Sequence, residues 1–132
     1  MESKAKVVVV YFGAADFRGC RLALAVAEGA WDAGAEVRVR CVERFLPPNG
    51  VHSAPEWVEL FRETDGVAEA TAEDLTWADA TVFGSATGRN AVPSDATRVP
   101  DGRELAAARE EGRRLAETIH RVKLGPSRLA VA

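Results

Sequence analysis

Lys4 and Lys6 lead into Val7-Val8-Val9-Val10-Tyr11-Phe12, a run with apolar residues at successive positions. A strand that is apolar on both faces predicts a central parallel strand covered by helices on either side. The run stops at Gly13, and a short loop, Ala14 to Gly19, follows. From Cys20 the apolar spacing turns helical: Leu22, Val26, Ala30 and Ala33 share one face, while Arg21, Glu28 and Asp32 lie elsewhere. Gly34 suits the left-handed position just past a helix end. Glu36-Val37-Arg38-Val39-Arg40-Cys41-Val42 then alternates polar and apolar, the pattern of a half-buried edge strand. Strand, turn, helix, turn and strand together specify a right-handed βαβ unit.

Leu46-Pro47-Pro48-Asn49-Gly50 breaks the chain. Glu56 to Glu63, with Trp57, Leu60 and Phe61 apolar, reads as a short helix. Thr71-Ala72-Glu73-Asp74-Leu75 places a Thr cap before acidic first-turn residues, which favour the positive end of a helix. Asp79 to Gly84 reads as a third strand, followed by a polar loop from Ser85 to Asn90. Ala91 to Gly102 carries two prolines and reads as irregular. Arg103 to Lys123 predicts the longest helix, with Leu105, Ala108, Gly112, Leu115, Ile119 and Val122 as its apolar stripe. Leu124-Gly125-Pro126 ends it and leaves a tail, Ser127 to Ala132. Neither a repeat nor a linker divides the chain, so residues 1–132 read as one α/β domain.

Composition narrows the class. The 132 residues carry 17 basic and 20 acidic side chains, a net charge of −3, with 47% hydrophobic and 28% charged residues. These are ordinary globular values, and they exclude collagen-like, disordered and disulfide-scaffold chains. A slightly acidic chain without a basic block argues against nucleic acid as a partner. The longest apolar run, Val7 to Phe12, is too short to span a bilayer, and no signal-peptide pattern precedes it, so the expected location is cytoplasmic. Cys20 and Cys41 have no metal-ligand spacing and read as free thiols in a reducing compartment.

Three segments together resemble the flavodoxin-like NAD(P)H:quinone oxidoreductases of the WrbA type. The first runs from Lys6 to Phe12, continuing through Ala25-Val26-Ala27-Glu28-Gly29-Ala30 to Gly34-Ala35-Glu36-Val37. The second joins Thr71-Ala72-Glu73-Asp74-Leu75 to Trp77-Ala78-Asp79-Ala80-Thr81-Val82-Phe83-Gly84. The third is Ser94 to Pro100 leading into Glu104-Leu105, Ala108-Arg109 and Gly112. The resemblance implies a truncated flavodoxin-like three-layer sandwich: a short parallel sheet, strand order about 2-1-3, with helices on both faces. The first and last long helices share one face. The strands and helices that the family has between its third strand and closing helix are missing here, where only 85 to 102 intervene.

The resemblance also implies an FMN site at the carboxyl ends of the strands, the place where such sheets bind ligands. Its phosphate loop maps to Gly13, Asp16, Arg18, Gly19 and Arg21, and its ring loop to Ser85, Thr87, Gly88, Arg89 and Asn90. The phosphate stretch has no Ser or Thr, and Asp16 would repel a dianion, so FMN is expected to bind weakly or not at all; no metal is expected. Arg18 and Arg21 read either as an anion clamp or as a solvated helix start. Asp16 is either a general base or a cap, and Cys20 either a reactive thiol or packing. Trp57 and Phe61, one helical turn apart, fit core or a stacking platform, and His52 and His120 read as surface or boundary residues. The rival readings are a flavin-free descendant binding or transforming another small molecule and a non-catalytic accessory protein. Loss of the intervening block strips the third strand of a neighbour, so a homodimer is expected, with the tail Arg128 to Ala132 crossing to or bracing the partner.

Overall fold

A computed structural model describes residues 4–12, 17–42, 59, 62–64, 66–84 and 100–124. Strand β1 (Lys6–Phe12) is followed by helix α1 (Phe17–Asp32), β2 (Glu36–Val42), β3 (Ala68–Glu69), α2 (Ala72–Trp77), β4 (Ala80–Gly84) and α3 (Gly102–Leu124). The strands form one parallel sheet in the order β3-β2-β1-β4. This is the truncated flavodoxin-like arrangement, with one addition. Ala68 and Glu69 pair with Arg40 and Cys41, so β2 is not the outermost strand along its whole length. A two-residue strand buries too little to leave a pattern in sequence.

Register explains why β1 is apolar on both sides. Val7, Val9 and Tyr11 join Ala23, Val26 and Ala30 of α1 and Ala108, Ala116 and Ile119 of α3 in the main core. Val8 and Val10 point to the opposite face and are equally buried. There they flank Arg38 and Arg40, their partners on β2. These arginines do not lie open to solvent as edge-strand polar residues would. The Arg38 guanidinium stacks on the Trp77 ring, 4.1 Å from its centroid, and donates to Asp74 Oδ1 at 3.0 Å. Arg40 Nε donates to the same carboxylate at 3.1 Å. Helix α2 therefore covers the second face through polar contacts, and helices lie on both sides of the sheet.

The two long helices cross at unusually close range. A β-carbon on Gly112 would stand 2.9 Å from the Ala30 nitrogen and nearer still to the Val26 carbonyl oxygen. One on Gly29 would stand 2.7 Å from the Arg109 carbonyl carbon and nearer to its oxygen. Each helix thus contributes a glycine at the point where the other's backbone passes. Val122 departs from the expected stripe: it is exposed, and Ala116 takes the buried position. Leu115 is only half-buried, at the edge of the core.

Helix ends follow from local chemistry. At α1, Gly34 has φ +92°, Ala35 N–H donates to Ala30 O at 3.1 Å, and Gly34 N–H donates to Trp31 O at 2.9 Å. Thr71 and Asp74 cap α2 reciprocally. Asp101 and Glu104 do the same for α3, with Glu104 N–H donating to Asp101 Oδ1 at 2.8 Å and Asp101 N–H to Glu104 Oε1 at 3.1 Å. At its other end α3 grips the start of β1. His120 Nε2 accepts from the Ala5 N–H at 3.0 Å, and Lys123 Nζ donates to Lys4 O at 3.0 Å. Lys123 also pairs with Asp79 at 2.8 Å, and Asp79 accepts from the Lys6 N–H at 2.9 Å.

Candidate functional site

The chain leaves β1 on one side to build β2 and returns to the other side as β4. That reversal opens a crevice at the carboxyl edge, where sheets of this kind take ligands. Tyr11 is in register with Gly84, and Phe12 with Val42, so three strand ends lie side by side. Helix α1 begins at Phe17 beside this edge. Gly13, Asp16, Ser85, Thr87, Gly88, Arg89 and Asn90 lie outside the described residues, as do Trp57, Phe61, His52 and the tail Arg128 to Ala132.

Arg18, Gly19 and Arg21 are described, and they stand in the first turns of α1. Arg18 forms an ion pair with Glu104 at the start of α3, and both side chains are largely buried. Its Nη1 is buried and has no hydrogen-bond partner among the described residues. Arg21 Nη1 donates to Glu63 Oε2 at 2.7 Å. Gly19 is buried. The two guanidiniums therefore point to different carboxylates, on opposite flanks of α1. An incoming anion would have to displace Glu104 or Glu63, or use the spare donor on Arg18.

Next to Arg18 a groove of about 330 Å³ runs between α1, α3 and the outer side of β4. Leu22 and Val26 of α1, Val82 and Phe83 of β4 and Ala107 of α3 form its apolar walls, and Glu104 and Glu111 line its rim. Phe83 is 59% exposed. The Arg18–Glu104 pair and this groove were not legible in the sequence, because the residues stand far apart along the chain. Cys20 and Cys41 are both buried and form no disulfide. Burial withdraws the Cys20 sulfur from solvent and from an exposed reactive role.

A second charged cluster lies on the opposite face. Asp74 is 2% exposed and accepts from Arg38, Arg40, the Thr71 N–H and the Thr71 hydroxyl. Burial pushes its carboxyl up, but the Thr71 and Arg38 hydrogen bonds and the Arg40 charge outweigh this and hold it below the ordinary carboxylate range. Every partner is intramolecular, so the cluster anchors α2 to the sheet. No group of three or more His, Cys, Asp or Glu among the described residues could hold a metal ion. No described helix is long and apolar enough to cross a membrane.

The parallel order, the reversal beside β1 and the helices on both faces place this chain among flavodoxin-like α/β proteins. No family model matches it. It is 35% identical over 80 residues, 61% of its length, to a protein of Archaeoglobus fulgidus named NAD(P)H dehydrogenase (quinone). To a Deinococcus radiodurans protein of the same name it is 33% identical over 87 residues, 66% of its length. The chain covers 42% and 43% of these two proteins, less than half of each. These partial matches support a distant relationship to the WrbA-like, flavodoxin-like family.

Proposed function

We propose that the chain is a flavodoxin-like protein of the NAD(P)H:quinone oxidoreductase type whose flavin site is reduced, so that FMN binds weakly or not at all. The kinship to two proteins named quinone dehydrogenases supports the redox class. The engagement of Arg18 by Glu104 and of Arg21 by Glu63 is the observation that supports the reduced site. A phosphate dianion needs several N–H and O–H donors with little negative charge nearby. The stretch Gly13 to Arg21 offers no hydroxyl and contains Asp16, and its two arginines already have carboxylate partners. These residues do not fit a tight FMN phosphate site.

The cavity beside Arg18 favours a second reading, a flavin-free protein that uses this groove, with Arg18 and Glu104 in its lining, for another small molecule. The purified chain's absorption spectrum, with thermal melts at rising FMN concentration, tests both. A colourless protein whose melting point rises only at high FMN, and which then oxidises NAD(P)H with a benzoquinone, supports the first. Stoichiometric flavin retained through purification overturns the reduced site. No stabilisation by FMN and no quinone reduction leaves the flavin-free reading.

A further inference from the structure

We propose that the groove between α1 and α3 binds an apolar organic cation, an amine with a carbonyl at its far end, the ammonium held at Glu111 and the carbonyl at Arg18. This assignment rests on the flavin-free reading, in which the groove serves a small molecule. The volume of about 330 Å³ lies at the lower end of the range of about 300–1,000 Å³ that small-molecule sites occupy. Leu22 and Val26 of α1 and Ala107 of α3 give the groove apolar walls, and Arg18, Glu104 and Glu111 are its charged lining.

The charges select the ligand. Glu104 is committed through both carboxylate oxygens: Oε2 pairs with Arg18, and Oε1 accepts from the Asp101 N–H. Arg18 and Glu104 therefore cancel as a pair and attract neither an anion nor a cation. Glu111 is exposed and has no hydrogen-bond or ion-pair partner among the described residues. The lining is left with one negative charge in excess, which repels a carboxylate or phosphate and attracts an ammonium. Apolar walls beside that charge focus its field into the groove. Length follows from α3. Glu104 and Glu111 lie two helical turns apart on one face, about 10.5 Å along the axis. Beside Glu104, the Arg18 Nη1 is buried and has no hydrogen-bond partner among the described residues. Water does not reach this donor, and a neutral carbonyl satisfies it without adding charge next to Glu104. A cation at one end, an acceptor at the other and an apolar middle two turns long define the ligand. Its charge is opposite to that of the phosphate which the family resemblance leads one to expect at Arg18.

Calorimetric titration of the full chain with matched probes tests this. N-(6-aminohexyl)benzamide, N-hexylbenzamide and 6-benzamidohexanoate share a benzamide and an alkyl chain, and end in an ammonium, a methyl group and a carboxylate. The amine is expected to bind at least tenfold tighter than the uncharged probe, and the carboxylate to bind weakest. 8-Phenyloctylamine keeps the ammonium but lacks the carbonyl, and is expected to bind at least threefold more weakly than the aminohexyl benzamide. Glu111→Gln should erase the preference for the amine and leave the uncharged probe unchanged. Ala107→Phe fills the groove and should weaken every probe. Both positions are exposed, so unchanged circular dichroism is expected. Equal binding of the three benzamides, or a preference that survives Glu111→Gln, overturns the proposal while the small-molecule reading stands. Equal binding of 8-phenyloctylamine overturns the carbonyl assignment at Arg18. No binding of any probe up to 1 mM, or binding that Ala107→Phe leaves untouched, overturns both the proposal and that reading.

Discussion

Gly112→Ala tests the crossing of α1 and α3. On an ordinary helix surface this change stabilises, because alanine is about 0.8–1 kcal/mol better than glycine in a helix interior. Here the new β-carbon would meet the backbone of Val26 and Ala30, with two atoms at 2.9 Å and the Val26 oxygen closer. Ordinary contact begins near 3.4 Å, so the helices must separate by more than about half an ångström. A backbone carbonyl inside a helix cannot rotate aside as a side chain can. Overpacking of this kind costs about 1–3 kcal/mol, and occasionally more, because separation also loosens the buried neighbours Val26, Ala30, Ala108 and Ala116. After the propensity gain, a net loss of about 1 kcal/mol is expected, against a total stability of about 5–15 kcal/mol. The melting temperature should fall by about 3–6 °C. Thermal and urea melts followed by circular dichroism read this directly. Gly102→Ala is the control, since nothing stands within 4 Å of its β-carbon, and it should be neutral or mildly stabilising. A Gly112→Ala variant as stable as wild type would refute the close crossing.

Other expectations follow from the same structure. Asp74→Ala should cost on the order of 1–3 kcal/mol, because Arg38 and Arg40 lose their shared acceptor, and Asp74→Asn should cost less; urea melts compare them. Asp79 is pushed up by burial, yet the Lys123 and Lys6 contacts hold it below the ordinary range, as Asp74 is held. Both groups release protons more readily folded than unfolded, so their stabilisation is complete above the ordinary carboxylate range and is lost as pH falls through the lowered folded values; an acid titration of the wild type should be steeper than that of Asp79→Asn. His120→Ala leaves the fully buried Ala5 N–H without its acceptor and should cost about 1–3 kcal/mol in thermal melts. Ile119→Ala should exceed Leu115→Ala in cost, since Ile119 is buried and Leu115 only half-buried; equal losses would show that the two share one environment.

The elements that periodicity identifies are those whose partners are generic. β1 needs only apolar cover on both sides, and α3 only an apolar face, so Val7 to Phe12 and Leu105 to Ile119 announce themselves. Gly34 and Thr71 are legible for a different reason, because helix ends need particular residue types at fixed offsets. What stayed hidden depends on contacts between distant residues. Arg38 and Arg40 alternate with valines as solvent-facing residues would, and nothing local shows that Asp74 and Trp77 cover them. The acceptor role of His120 arises only once α3 docks at the start of β1. At the candidate site, the sequence points to Arg18 and Arg21 through the resemblance, but their carboxylate partners follow from the packing of α3 and from Glu63.

The grip of α3 on β1 also bears on how the chain is made. Ala5 and His120 are 115 positions apart, and Lys4 and Lys123 are 119 apart, yet their contacts hold the beginning of the first strand. A ribosome delivers β1 well before α3, so these backbone groups wait for their partners while more than a hundred intervening residues are made. Contacts this far apart in sequence slow folding, because a large loop must close before they stabilise anything. Until then the four consecutive valines of β1 lack the cover of α3. The nascent chain therefore carries an apolar, aggregation-prone strand that is fully sheltered only once α3 has been made.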